Sequence, residues 1–464
     1  MKINSAKIQL NLIIFLMCGL LYTQENSQPN IVLINVDDMG WKDLGFMGSN
    51  YYESPNIDQL ASKGVVFSNG YASAANCAPS RASLMTGLWT PRHGIYTVGS
   101  SKRGNTEDRK LVPSKNKTIL STSFKVLPQI LKENGYTTCH SGKWHLSNDP
   151  KSFGFDVNIG GSHAGYPKSY TPPYQNVKIE MGKNSYLTDL ITEKSIAFIE
   201  QAQQPFFLYF SPYAVHLPLN PIDSLVGKYK NKATENGQNN AKYASMVENL
   251  DRNIGLLLDG LKNTNTLIVF TSDNGGLYGI TAQKPLRAGK GSYYEGGIRV
   301  PFVFVWEDKI PKRSKSDTPI TNLDLFPTLL TAAQIPTDEQ AFDGCNLLPL
   351  LMQKKNGIDR ALYWHFPVYI QAKKWKNYSS ENRDSLFRTR PGSVIRRGDW
   401  KLHYYFEDES VELFNLKNDI EECHNLMSKK PGKGKELLTE LQSWWAQTKA
   451  AIPNEKNPYF KIGN

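Results

Sequence analysis

Short runs of apolar residues alternate with stretches that are apolar at every third or fourth position. Residues 31–36 form a nearly continuous apolar run, the pattern of a strand buried on both faces. Ser54-Pro55 then opens a helix, as N-cap and first-turn proline, that closes at Gly64. Residues 126–134 read as a helix ended by Gly135, followed by a strand at 136–140. An amphipathic helix at 187–201 precedes a buried strand at 206–210, and a long helix at 241–261 precedes another at 267–271. This alternation predicts an α/β domain around a mainly parallel central sheet flanked by helices. After about residue 360 the pattern changes. Segments 393–397, 400–404 and 412–415 read as short antiparallel strands, the first two joined across Arg397-Gly398-Asp399, and 436–450 reads as a final amphipathic helix. The expected layout is a large α/β domain at 28–360 and a smaller C-terminal α+β domain at 361–464.

Residues 1–24 stand apart. Lys2 and Lys7 precede an apolar run at 12–21 that is interrupted only by Cys18 and Gly19. Ten residues are too few to span a membrane but match the core of a secretory signal. The expectation is export, to the periplasm or the medium, with cleavage near Thr23 or Gln24. A lipoprotein anchor at Cys18 is the weaker reading, because Met17 is a poor match for the small residue needed before it. No later segment is long and apolar enough to predict a transmembrane span.

The formal net charge of +11 favours polyanionic partners, although on charge alone scattered surface lysines that keep the protein solvated are the better explanation. No zinc finger, basic zipper or RNA-binding signature points to nucleic acid. A sulfated polysaccharide is another polyanion, and one that an exported protein meets. Five cysteines in a chain of this length do not make a disulfide scaffold. Cys139, within a strand-like run, reads as a small buried hydrophobe.

The chemistry concentrates just after the predicted strands. Asp37-Asp38 ends the first, where open α/β sheets place their sites. Adjacent carboxylates need solvent or a cation, and a surface turn is the simpler reading of an isolated pair. Asp273-Asn274-Gly275-Gly276 repeats the placement after 267–271, where a plain Asn-Gly turn is the alternative. Together these residues supply hard oxygen ligands suited to Ca²⁺ or Mg²⁺, with no cysteine–histidine cluster for zinc. Gly142-Lys143-Trp144-His145 follows 136–140; if extended, Lys143 and His145 face one side. His216 lies beyond 206–210, and Lys290 sits in a glycine-rich stretch ending Gly296-Gly297-Ile298-Arg299. Each of these alone suits packing or solvent exposure. The most informative stretch is Cys77-Ala78-Pro79-Ser80-Arg81, followed by Leu84-Met85-Thr86-Gly87. A cysteine at the start of a helix, near an arginine, is expected to be a low-pKa nucleophile.

Here the chain resembles the type I sulfatases of the alkaline-phosphatase-like superfamily, which convert the cysteine of a C-x-P-S-R motif into formylglycine. The resemblance runs from about Gln28 into the C-terminal region, and the Gly-Lys-Trp-His run is a second motif of that family. It implies a large alkaline-phosphatase-like domain with a small four-stranded C-terminal one. It also implies that Asp37, Asp38, Asp273 and Asn274, completed by the residue made from Cys77, hold a divalent cation, most often Ca²⁺. A formylglycine-generating enzyme is then a maturation partner. By the same resemblance, hydrated formylglycine attacks sulfur while Lys143 and Lys290 balance charge on the sulfate oxygens. His216 protonates the departing oxygen, His145 takes the proton that releases sulfate, and Arg81 holds the site together.

The expected substrate is a sulfated oligosaccharide or polysaccharide, with ulvan, carrageenan and glycosaminoglycan fragments all compatible. His163, the aromatic run 166–174 and Arg396-Arg397 are candidates for the pocket, each better explained, residue by residue, by packing or solvation. His93 reads as structural. Two alternatives remain: a phosphodiesterase or phosphonate monoester hydrolase of the same superfamily, and an inactive glycan-binding homologue.

Overall fold

Successive side chains of Asn30–Val36 (β1) enter opposite cores, which is why the run is apolar on both faces. Ile31 and Leu33 join one cluster, and Val32, Ile34 and Val36 join the other. The computed structural model describes residues 28–180, 185–337, 341–372 and 381–461; the secretory leader expected at 1–24 lies outside them. Among the described residues no helix is long and apolar enough to cross a membrane.

The central sheet has eight strands. In chain order they are β1, Val65–Phe67 (β2), Thr137–Gly142 (β3), Val157–Ile159 (β4), Phe206–Ser211 (β5), Thr266–Ser272 (β6), Phe302–Trp306 (β7) and Ser314–Ser316 (β8). Their spatial order is β4-β3-β5-β1-β6-β7-β2-β8. All run one way except β7, which lies antiparallel to both β6 and β2. The three strands β2, β7 and β8 near that edge carry no site motif and were not anticipated from the sequence. Among the helices on the two faces, Ala241–Asp259 (α1) buries Ala244, Val247, Leu250, Ile254 and Leu257, the spacing of one helical face.

The four central strands end in register. Val36 pairs with Ser272, and Gly142 pairs with Ser211. The residues that follow, Asp37, Asp273 and Lys143, are therefore delivered side by side at the carboxyl edge of the sheet. Open α/β sheets bind ligands at this edge.

The smaller sheet is antiparallel, in the order Ala361–Phe366 (β9), Gly392–Arg397 (β10), Trp400–Tyr405 (β11) and Val411–Asn415 (β12). Its turn at Gly398-Asp399 falls where the sequence places one. The last helix, Pro431–Thr448 (α2), starts five residues earlier than expected because Pro431 suits its first turn. Leu437, Leu441 and Trp444 of α2 pack on Trp364, Val394, Leu402 and Leu413 of the sheet. Tyr71, Ala75, Tyr293 and Ile298 of the larger layer share that cluster, so the two sheets meet through a common core.

A buried charged network crosses the same contact. Lys401 Nζ lies 2.9 Å from Glu295 and 2.9 Å from Glu422, all three side chains without solvent exposure. Tyr71 donates its hydroxyl to Glu295 at 2.6 Å, and Arg299 lies 3.2 Å from the same carboxylate. Burial alone would raise the Glu295 carboxyl, but Lys401, Arg299 and Arg396 hold it down to about 2. A depressed carboxyl stabilises the fold above its unfolded value and loses that contribution as pH falls towards the folded one. Lys401→Met leaves two buried carboxylates short of their cation and is expected to cost about 3–5 kcal/mol in urea unfolding near neutral pH. The deficit should narrow as pH drops below the ordinary glutamate range. A variant as stable as wild type at neutral pH would contradict this role for the network.

Candidate active site

Cys77 opens the helix Cys77–Thr86, every residue of which is buried. Arg81, one turn on, reaches back under the sheet edge. Its Nε donates to Asp273 Oδ2 at 2.8 Å, and one terminal nitrogen donates to the Lys143 carbonyl at 2.8 Å and to Ser211 Oγ at 2.5 Å. Its other terminal nitrogen lies 4.0 Å from Asp37 Oδ1. One guanidinium thus ties the cysteine-bearing helix to the ends of β3, β5 and β6.

The remaining charges pair in the same small volume. Lys143 Nζ donates to both oxygens of Asp37 at 2.8 Å. Lys290 Nζ donates to Asp38 at 2.5 and 2.8 Å and stands 3.2 Å from Cys77 Sγ. Asn274 donates Nδ2 to Asp38 Oδ1 at 2.8 Å and leaves its own buried Oδ1 without a hydrogen-bond partner. His216 Nε2 faces Asp38 Oδ2 at 3.6 Å, while Nδ1 meets the Leu217 carbonyl at 2.7 Å and therefore carries the proton. Ligand atoms of Asp37, Asp38, Cys77 and His216 all lie within 4.8 Å of one another. His216 was expected as a proton donor and not as part of a ligating group.

Crowding shifts the titrations. Burial, reinforced by Asp273 and Asp38, pushes Asp37 up to about 7 against the pull of Lys143 and Arg81. Burial would raise Asp38 too, but Lys290, His216 and Lys143 hold it well below the carboxylate range. Burial, followed by Lys290, lowers His216 to about 3, so its ring is neutral at rest.

Two expectations need correction. Cys77 is not a low-pKa thiol: burial pushes it up to about 11 despite Lys143 and Lys290, because desolvating a thiolate outweighs their attraction. An unmodified Cys77 is thus protonated at neutral pH. Lys143 and His145 are not on one extended stretch, since the chain turns at His145 with φ +65°. The ring of His145 instead packs beside His163, centroids 6.0 Å apart, and a Cβ on Gly165 would come within 2.5 Å of it. Arg396 and Arg397 follow the packing reading preferred for them from the sequence. Arg396 bonds the Tyr71 hydroxyl and the Gly398 carbonyl, and Arg397 pairs with Glu440 and Asp359.

Of the aromatic run, Tyr170 and Tyr174 are core residues, whereas Tyr166 is 50% exposed and stacks on His216 with centroids 5.8 Å apart. His93 bonds Ser83 Oγ at 3.0 Å inside the protein and touches none of these groups. Ser211, which anchors Arg81, was missed; only its position at the end of a strand could have suggested it.

Residues 29–335 match the family model described as Sulfatase. The chain belongs to the sulfatase family. It is therefore a sulfuric ester hydrolase by kinship, with the expected alkaline-phosphatase-like fold. Residues 289–450 match a second model, described as N-sulphoglucosamine sulphohydrolase, C-terminal, which begins one residue before Lys290. This sulfatase is 32% identical to a sulfatase of Formosa agariphila, over 94% of this chain and 93% of that one. It is 32% identical to N-acetylgalactosamine-6-sulfatase of Rattus norvegicus, over 75% of this chain and 70% of that one. Among solved structures it resembles Ps i-CgsB in complex with k-i-k-neocarrahexaose. That match has a TM-score of 0.72 and 31% identity, and covers 90% of this chain and 92% of the other.

The sulfatase's dependence on a held His145 is open to test. Gly165→Ala places a methyl group against the imidazole and is expected to lower kcat about a hundredfold, with the melting temperature little changed. Wild-type kcat in that variant would show that the position of His145 does not matter.

Proposed function

We propose that this sulfatase is an exported enzyme that hydrolyses sulfate esters of a sulfated carbohydrate, such as ulvan, carrageenan or glycosaminoglycan fragments, through a formylglycine made from Cys77. The observation that carries the reading is the convergence of Cys77 Sγ, Lys290 and Asp38 at the sheet edge, with Lys143 and Asp37 alongside. The carbohydrate class is supported by the relatives just described. One is named for N-acetylgalactosamine and another was solved with a carrageenan-type hexaose bound.

The donor set fits a hard divalent cation. Asp37, Asp38 and Asp273 supply carboxylate oxygens, and the buried, unpartnered Oδ1 of Asn274 supplies a neutral one. Burial is what chiefly raises Asp37, and a divalent cation beside it would oppose that rise. Ca²⁺ is the favoured ion from the family resemblance, with Mg²⁺ the alternative. When bound, the cation and the formylglycine would together supply an activated hydroxyl on a carbon that can later release sulfate by returning to the aldehyde.

The chain's own residues do the rest. Lys143 and Lys290 bring two ammonium groups to the place of an anionic ester, each now on a carboxylate that a divalent cation would share. Arg81 keeps Asp273, Ser211 and the Lys143 backbone in place. His216 presents Nε2 to the site and must gain a proton to act as general acid; the negative charge of Asp38 and of a bound ester both favour that. Burial, then Lys143, keeps His145 neutral, the unprotonated form that a proton acceptor must start from. Tyr166 offers the exposed part of its ring beside His216, a surface on which a sugar can stack.

The test is ion chromatography of free sulfate and phosphate, using protein coexpressed with a formylglycine-generating enzyme. Sulfated oligosaccharides and phosphate mono- and diesters are offered in parallel. The expected results are sulfate from one carbohydrate class, an aldehyde at position 77 by peptide mass analysis, and loss of turnover in a folded Cys77→Ser variant. Full activity in that variant would refute the formylglycine mechanism. Phosphate release alone would make the protein a phosphoesterase.

A further inference from the structure

One short segment, residues 163–170, touches both of the histidines assigned to proton transfer. At its start the ring of His163 lies edge-on to His145, centroids 6.0 Å apart, and Gly165 leaves room for the same imidazole. Tyr166 lays its ring on His216, with centroids 5.8 Å apart and planes inclined by 13°. Tyr170 then donates its hydroxyl to the carbonyls of Tyr213 and His216, at 2.6 and 2.8 Å. Asn176 pins the segment itself, donating to the Tyr166 carbonyl at 2.6 Å and accepting from the Lys168 amide at 2.9 Å.

These contacts remove the freedoms of the His216 ring one at a time. Tyr170 holds its backbone. The Nδ1 proton, donated to the Leu217 carbonyl at 2.7 Å, sets the direction in which Nε2 points, towards Asp38 at 3.6 Å. A hydrogen bond along one in-plane direction leaves rotation about that direction open, and a flat neighbour at offset-stacking distance closes it. Tyr166 is that neighbour, and it makes the one ring contact of His216 among the described residues. Its exposure argues against a packing role. Tyr166 is 50% exposed, whereas Tyr170 and Tyr174 of the same run are buried in the core. A half-exposed ring gains only part of the burial that stabilises a core side chain. What it does cover is the imidazole, which is left 17% exposed.

We propose that Tyr166 is a positioning residue for proton donation: its ring holds the imidazole of His216 in the plane from which Nε2 reaches the departing sugar oxygen. The proposal rests on the sulfated-carbohydrate reading, with His216 as general acid. In that step the bond between sulfur and the sugar oxygen breaks, and its electron pair stays on the oxygen, which takes the Nε2 proton. The sulfuryl group passes to the activated oxygen at position 77, and His216 returns to its neutral form. A tilted ring moves Nε2 off the line to the sugar oxygen, and proton transfer depends steeply on such placement. The segment 163–170 thereby sets acceptor and donor from one piece of backbone, His145 through Gly165 and His216 through Tyr166.

The experiment measures sulfate release by wild type, Tyr166→Phe and Tyr166→Leu, all matured with a formylglycine-generating enzyme, from the carbohydrate class that wild type desulfates. Rates are taken per mole of folded, aldehyde-bearing protein, from circular dichroism and peptide mass analysis. A phenyl ring keeps the flat face, whereas an isobutyl group keeps an apolar surface without it. Tyr166→Leu is expected to lower kcat about tenfold, whatever its effect on KM, and Tyr166→Phe to stay within about twofold of wild type. Wild-type kcat in Tyr166→Leu would overturn the proposal, and a rise in KM alone would leave Tyr166 as a surface for the sugar. A Tyr166→Phe variant that falls as far as Tyr166→Leu would also overturn it, because the hydroxyl and not the ring would then matter. Absence of sulfate release by wild type from every carbohydrate class would overturn the sulfated-carbohydrate reading, and the proposal with it.

Discussion

Three carboxylates buried at the ends of neighbouring parallel strands are the constraint on which the rest of the structure depends. Asp37, Asp38 and Asp273 are almost completely withdrawn from solvent, and each sits against a buried or nearly buried cation. Charges taken out of water cost several kcal/mol apiece unless they are paired with good geometry. Arg81 satisfies this for Asp273 and at the same time locks the Cys77 helix onto three strand ends. The fold therefore cannot form around this edge without presenting Cys77 to the carboxylates. Removing any one partner would strand a charge in the interior, so architecture and chemistry are selected together.

The smaller sheet completes the site without supplying its central residues. Its Lys401 neutralises Glu295, five residues from Lys290, and their shared core includes Tyr293. The strand Phe387–Thr389 lies against the Lys290–Gly291 backbone through Arg388. The position of Lys290 is thus set from both sides. This accounts physically for a chain in which the segment from Lys290 onward continues into the smaller sheet.

What could be read from the sequence follows from where the information is local. A buried parallel strand followed by Asp-Asp, or by Asp-Asn-Gly-Gly, declares both its element and its end, so the strand-end motifs and the mainly parallel sheet were legible. The antiparallel β7 was not, because a strand buried on both faces looks the same in either direction. Arg396 and Arg397 could be offered for the pocket at all only because charge carries no address; Tyr71 and Glu440, far away in the chain, claim them. The thiol of Cys77 misled for a related reason. Its helix position and its arginine favour a thiolate, but the depth of burial that reverses this is a tertiary property.

The most direct test of the central claim is calorimetric titration of the metal-stripped protein with Ca²⁺ and, separately, Mg²⁺, in wild type, Asp37→Asn and Asn274→Ala. If the buried carboxylates and the unpartnered Asn274 oxygen form a cation cradle, wild type binds one divalent ion per chain and both variants bind it at least about tenfold more weakly. Wild type that binds neither ion, or variants that bind as tightly as wild type, would contradict the account. The strand-end charges would then be a purely structural lattice.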